Sequence, residues 1–503
     1  MSPFPAIPRR WLILLAVMLA FLPVVIDMTI LHIAVPSLTL ALDASATQVL
    51  WIIDIYPLLM AGLLVPMGTL ADRIGHRRVL LTGLGIFGTA SLLAAFAPTP
   101  ATLIATRALL ALGGSMIMPC VLGIIRRTFE DEDERALALG LWGTVGAAGA
   151  ALGPLIGGVL LEHFWWGSAF LINVPIMLSV LPLVYVLLPR REATTPGTWT
   201  PLQALLLIAA ILALVYGIKA TLGQTQALTI ALPVALSGLG LLVLFVRLQL
   251  RTTRPMLDLT LFSRPAILAG IIMATLASGA LAGVELTLAQ ELQYVLGKTP
   301  LEAGIFMLPI MVAAALGGPV AGYLSQLCGL RTVAVLSLAI AAAALACLAF
   351  SDFAHPGLTV PLLLALLGLA LSIGLTASSI AIMSSVAPSQ GGAAGSLEAT
   401  AYEFGSGLGI TLFGVLLSGV YRHTLLQVPD LPPAQAERAA RSIGDSYVIA
   451  RDLAAPQAKA LIEAAKAAFS ASHSLVLMTA AALLAALALL VCHLLRGAST
   501  PTG

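Results

Sequence analysis

Apolar residues along this chain come in long runs rather than in alternation. Stretches of about 20 mostly apolar residues, the length a helix needs to cross a bilayer, recur fourteen times. They lie near 11–34, 48–70, 79–97, 101–124, 136–161, 167–188, 200–219, 227–247, 265–290, 302–325, 332–350, 358–383, 394–420 and 472–495. The gaps between them are short and polar, except for 421–471. In that segment Pro432-Pro433 and Ala455-Pro456 punctuate two Ala-rich, charged stretches. Helix formers dominate both, which predicts a short helical hairpin, with a flexible linker as the alternative. The pattern as a whole predicts an all-α polytopic membrane protein with 14 transmembrane helices.

Composition agrees with that reading and excludes others. Of 503 residues 59% are hydrophobic and only 10% charged, and the mean hydropathy is +1.03. An ordinary soluble domain carries ~25% charge. So few charges cannot cover a water-facing surface of this size, which rules out a soluble enzyme, a nucleic-acid binder and a disordered chain. The net charge of +2 gives no sign of a polyanionic or polycationic partner. Cys120, Cys328, Cys347 and Cys492 lie in or beside apolar runs and read as small packing residues, with no metal or disulfide spacing. Arg9 and Arg10 before the first run imitate a signal peptide. That run is long, contains Asp27 and lacks a small-residue cleavage site, so it reads as a retained first helix.

An even number of spans puts both ends on one side. With the N-terminus inside, the inner segments hold sixteen arginines, and the short outer loops hold only Lys219 and Lys298. The positive-inside rule then predicts cytoplasmic termini. A repeat divides the chain. Gly68-x-Leu70…Gly75-x-Arg77 follows span two, and Gly322-x-Leu324…Gly329-x-Arg331 follows span ten at the same spacing. This predicts a six-helix lobe over 1–190, two inserted helices over 200–247 and a second six-helix lobe over 265–495, with the hairpin at 421–471. Repeated halves rocking about a central site are how many carriers work.

The acids inside spans carry the candidate chemistry. Asp27, Asp54, Glu285, Glu398 and Glu403 fall well within predicted helices, and Arg107 is the one clearly embedded base. Each such charge costs ~2.5–3.5 kcal/mol or more if it faces lipid at the bilayer centre, so these side chains should face an interior cavity. A net negative cavity suits a cationic substrate. A carboxylate that binds either a proton or a cation is the simplest exchanger. Glu398 and Tyr402 share a helix face, whereas Glu403 points elsewhere. Trp51 and Tyr56 flank Asp54 and read either as cation–π partners or as packing and interfacial anchors. His32 lies near Asp27 and is either a titrating group or a histidine satisfied by a polar neighbour. Glu291 and Glu302, near an outer boundary, read as solvated loop acids.

Three motifs add a family resemblance. The loop Gly68-Thr-Leu-Ala-Asp72-Arg73-Ile-Gly75-His-Arg77-Arg78 resembles the signature loop of the major facilitator superfamily, and Asp72 there could latch one conformation. Gln326 and Leu327 replace the Asp-Arg pair in the second copy, so the latch is expected mainly in the first lobe. Gly140, Gly149, Gly153, Pro154, Gly157 and Gly158 resemble that superfamily's antiporter motif, and small residues there allow close helix packing. Ile26-Asp27-Met28-Thr29 through Pro36 resembles the first-helix motif of its fourteen-helix drug:proton antiporters, with His32 where Asn is usual. Arg107 resembles the fourth-helix arginine linked to proton coupling, although Ala111 stands where Gly is usual; a structural buried Arg is the other reading.

With Trp51-Ile-Ile-Asp54-Ile-Tyr56 and the acidic thirteenth helix, the chain is similar to the SmvA/QacA-type exporters of that branch over nearly its whole length. The resemblance implies a monomer in the bacterial inner membrane that needs no cofactor beyond the proton gradient. It implies exchange of protons for quaternary ammonium compounds, dyes, viologens or biguanide-type antiseptics, with no catalysis and no nucleic acid or metal bound. Asp27 and Arg107 would serve proton coupling. Asp27, Asp54, Glu285, Glu398, Glu403, Tyr402, Trp51 and Tyr56 would serve cation binding. A tetracycline–metal or monovalent-cation antiporter of the same fold, or a non-transporting membrane sensor, is the alternative.

Overall fold

A computed structural model of the chain describes residues 9–189, 200–222, 227–252, 255, 259–386, 391–425 and 432–497. Arg190, Arg191 and Arg254, three of the arginines counted above, lie outside the described residues, as do 426–431 of the hairpin segment. Among the described residues every regular element is helical. The first lobe comprises α1 (Arg9–Leu42), α2 (Ala46–Ile74), α3 (His76–Ala95), α4 (Pro100–Thr128), α5 (Glu132–His163), α6 (Ser168–Leu171) and α7 (Asn173–Leu187). The inserted pair is α8 (Pro201–Leu222) and α9 (Leu228–Arg251). The second lobe begins with α10 (Pro265–Gln290), α11 (Pro300–Cys328), α12 (Leu330–Ala349), α13 (Thr359–Met383) and α14 (Gly391–Leu425). After it come α15 (Pro433–Ala439), α16 (Ile443–Ala450) and α17 (Ala455–Leu494). Fourteen helical segments are long and apolar enough to cross a membrane, and they coincide with the predicted spans.

Local chemistry explains the ends. Ser45 with Gln48, Thr99 with Thr102 and Thr299 with Glu302 form reciprocal capping boxes that satisfy otherwise orphaned N–H groups of α2, α4 and α11. The sequence repeat becomes a repeated turn: Gly75 (φ 101°) separates α2 from α3, and Gly329 (φ 80°) separates α11 from α12. Only glycine takes such a φ without strain. Span six runs through α6 and α7 with a right-handed helical backbone at Ile172, as expected. One expectation changes in detail. In the predicted hairpin the first stretch folds as α15 and α16, while the second is continuous with the last span, making α17 a single 40-residue helix.

Each lobe has its own core, and a third cluster packs the inserted pair on α2 through Leu58, Val65, Ala204, Leu207, Ile211, Val215 and Phe245. Lipid removes most of the hydrophobic drive between helices, so close approach does the holding. A Cβ at Gly279 of α10 would lie 2.7 Å from the Gly405 carbonyl of α14.

The lobes meet at one end and part at the other. On the side carrying α15 and α16, a Cβ at Gly158 of α5 would lie 2.6 Å from Leu301 Cα, and one at Gly304 of α11 would lie 2.7 Å from the Pro154 carbonyl. Gln293 donates to the Ile33 carbonyl at 3.1 Å. The hairpin seats on this seam: Tyr447 donates to the Tyr294 carbonyl, Arg438 lies 3.5 Å from Asp43, and a pocket between Thr39, Tyr294, Tyr421 and Gly444 lies beneath it. At the far end of α5 and α11, Gly140 and Gly322 have no atom within 4 Å of the place a Cβ would take. That open end is rich in arginine contacts: Arg10–Glu134 at 2.7 Å, Arg77 to the Tyr185 carbonyl at 2.8 Å, and Arg331 to the Cys492 carbonyl at 3.0 Å.

Candidate functional site

A pocket lies on the lobe boundary near mid-span. α1 contributes Met28, Thr29 and His32, α2 contributes Ile53, Tyr56 and Pro57, and α4 contributes Arg107. From the second lobe α10 gives Ser278, Leu281, Ala282 and Glu285, and α14 gives Tyr402, Ser406 and Ile410. The walls are mostly apolar with a few convergent polar groups, the usual character of a small-molecule site.

Asp27 and Arg107 are both buried and form a direct ion pair between α1 and α4. Arg107 Nε also donates to the Ile52 carbonyl at 3.1 Å, and its guanidinium carbon sits 4.6 Å from the Tyr56 ring centre. Asn173, at the start of α7, donates to Asp27 at 3.5 Å and to Ser91 at 3.3 Å, a polar partner that the hydropathy pattern does not reveal.

Asp54 lies close by in sequence but belongs to a different arrangement. Neither it nor Trp51 lines the cavity. Its carboxylate accepts from Thr411 of α14 at 2.6 Å and meets Lys219 Nζ of α8 at 2.6 Å. This corrects the sequence reading in two ways: Lys219 is not in an outer loop, and Arg107 is not the only embedded base. Lys219 is only 3% exposed. A lysine at the very end of an apolar run looks loop-bound by hydropathy, yet α8 continues to Leu222 and the long lysine stem stays inside the protein.

Among the described residues, Glu285, Glu398 and Glu403 of the second lobe have no lysine or arginine partner. Glu285 opens on the cavity and faces His32 of the first lobe, with Nδ1 3.6 Å from Oε2. Glu403 is buried, and among the described residues its Oε2 has no hydrogen-bond partner. Glu398 accepts from Ser379 at 3.2 Å and lies off the cavity, although its face-mate Tyr402 lines it. Glu291 corrects another expectation. It is buried in a π-helical turn at Glu291–Val295 and accepts from Ser470 at 2.6 Å, so it is no solvated loop acid. Glu302 is exposed and caps α11, as a boundary acid should. Among the cysteines only Cys120 is a core residue; Cys328 and Cys347 are exposed, and Cys492 is half-buried beside Arg331.

The motif residues separate by partner. Asp72 lies 3.3 Å from Arg127 at the end of α4 and 3.6 Å from His76, all within the first lobe. Within the glycine motif, Gly149, Gly153 and Gly157 face Leu22, Thr29 and Ile30 of α1, and Gly158 faces α11 across the boundary.

The family model described as Major Facilitator Superfamily matches residues 17–287 and 266–426. The chain belongs to the major facilitator superfamily. It is therefore a multi-pass membrane transporter rather than an enzyme, and its relatives place it in a bacterial inner membrane. Among relatives of this superfamily member, the methyl viologen resistance protein SmvA of Salmonella typhimurium is 47% identical over 480 residues, which cover 95% of this chain and 97% of SmvA. The multidrug efflux pump LfrA of Mycolicibacterium smegmatis is 37% identical over 489 residues, 96% of each chain. A bacterial homologue of the human lysosomal transporter Spinster, solved inward-facing and unoccupied, superposes with a TM-score of 0.66 at 18% identity, covering 97% of this chain and 99% of that one. That likeness concerns the fold alone.

Proposed function

We propose that this transporter exports lipophilic organic cations in exchange for protons. The observation that carries the reading is how the embedded acids are matched. Asp27 and Asp54 of the first lobe are each paired with an arginine or a lysine, whereas among the described residues Glu285, Glu398 and Glu403 of the second are not. A cation entering the cavity meets Glu285 directly, beside Tyr56 and Tyr402. Charges this costly in a membrane are retained for function. The relatives named for methyl viologen resistance and multidrug efflux support the same substrate class.

In this reading the arginine-rich end faces the cytoplasm, with both termini, and the protein works as a monomer. The open end admits the cation to the second lobe's acids. Asp27 and Arg107 form the proton-linked pair: protonation of Asp27 from the opposite side weakens its hold on Arg107, and the lobes rock. The closed seam under the hairpin then opens and the cation leaves. Energy comes from the proton gradient, with no cofactor.

The test uses proteoliposomes with an imposed pH gradient, a dicationic viologen and a proton-sensitive dye. Viologen-triggered proton movement, lost in Asp27→Asn, is expected. Viologen binding without proton movement sinks the exchange and favours a sensor. Movement triggered only by a tetracycline–metal chelate or a monovalent metal cation favours the other antiporters.

A further inference from the structure

The inserted helices of this fold have a role that hydropathy hides. Lys219 extends from α8 to α2, where its ammonium lies 2.6 Å from Asp54 Oδ2 and 3.8 Å from the centre of the Trp51 ring. Tyr216, one turn earlier on α8, stands beside the same indole with ring centres 6.5 Å apart. Thr411 of α14 donates to the same carboxylate. A carboxylate and an indole face closing on one ammonium is the chemistry by which proteins bind alkylammonium ligands. Here the ammonium is part of the chain.

We propose that Asp54 and Trp51 form an alkylammonium subsite occupied by the protein's own Lys219, and that this occupancy sets specificity by withholding Asp54 from substrate cations. A substrate that displaced Lys219 would strand an ammonium away from water, in a place where an uncompensated charge is costly. The cavity therefore offers incoming cations the second lobe's acids alone. The inserted pair thus controls how many negative charges the transport site presents.

The specificity role rests on the cation-export reading, but the subsite itself does not. Its probe is n-butylammonium, the lysine side chain freed from its backbone. Purified Lys219→Ala protein is expected to bind it saturably, read as a rise in thermal stability and a change in tryptophan emission. Wild type, whose subsite is filled, should not respond, and neither should the Lys219→Ala/Asp54→Asn protein, which lacks the carboxylate. No response in Lys219→Ala, or an equal response in the double variant, overturns the subsite. Should Lys219→Ala fail to accumulate, its yield is measured with n-butylammonium in the growth medium. Recovery supports the proposal; no recovery while the double variant accumulates overturns it. For specificity, Lys219→Ala should tighten viologen dication binding about tenfold relative to a monocationic dye, equivalent to about 1.4 kcal/mol. An unchanged ratio, alongside a positive n-butylammonium response, overturns the specificity role and leaves the subsite standing.

Discussion

His32 and Glu285 face each other across the lobe boundary, 3.6 Å apart, inside the cavity. The imidazole shares that carboxylate with any cation that binds there. His32→Ala removes the competitor and should tighten binding of a fluorescent cation severalfold. Binding titrations of the two proteins decide it; superimposable curves count against the competition.

Arg107 makes contacts that no lysine can reproduce. It pairs with Asp27, donates to the Ile52 carbonyl and lies over Tyr56 at once. An ammonium keeps the charge but not the fork. Arg107→Lys is expected to fold and to lose proton-driven transport by about 100-fold, corresponding to about 2.7 kcal/mol. Arg107→Ala leaves a buried carboxylate uncompensated and should lose about 3–5 kcal/mol of stability. Thermal melts and flux assays on both variants separate these effects.

The glycines of α5 and α11 predict unequal costs at the closed seam and away from it. Gly158→Ala and Gly304→Ala put a methyl into backbone across the closed seam, whereas Gly140→Ala meets open space. The first two should be destabilised by about 1–3 kcal/mol, the usual cost of overpacking. The third should stay within about 0.5 kcal/mol of wild type. Equal melting temperatures for Gly158→Ala and Gly140→Ala would mean the seam is not as tight as drawn.

The hairpin should respond to acid. Burial raises Asp445 above the ordinary aspartate value, against the lowering effects of Ser442, Arg438 and Arg441, and Asp43 raises it further. The docked form then holds the proton more strongly than the loose form. Docking is firmest below the ordinary carboxylate value and weakens as pH rises through the raised one. Hydrogen exchange over 443–450 should quicken across that window, and Asp445→Asn should flatten the change.

The chain's spans were legible because twenty apolar residues in a row have one physical solution in a bilayer. The repeated glycine turns and the embedded acids could be read for the same reason: each breaks an otherwise uniform pattern. What could not be read were distances across the bundle. Lys219 and Glu291 stand near the ends of apolar runs, where hydropathy assigns them to water, and only packing against α2 and α17 takes them out of it. The pairing of Asp54 with Thr411 joins residues 357 positions apart, which no local pattern encodes. Asn173 was visible as a polar residue in an apolar run, but its partners Asp27 and Ser91 lie on other helices.

The last helix has a mechanical consequence. At 40 residues it is about 60 Å long, twice the thickness of a bilayer's hydrocarbon core. Its first half runs on past the predicted last span, and Leu461, Ala465 and Phe469 bury it in one cluster with Ile443 and Ile449 of the hairpin. One unbroken helix thus ties the hairpin to the second lobe, so a tilt of that lobe should carry the hairpin with it. A binding protein raised against the hairpin would feel the transport cycle without touching the cavity.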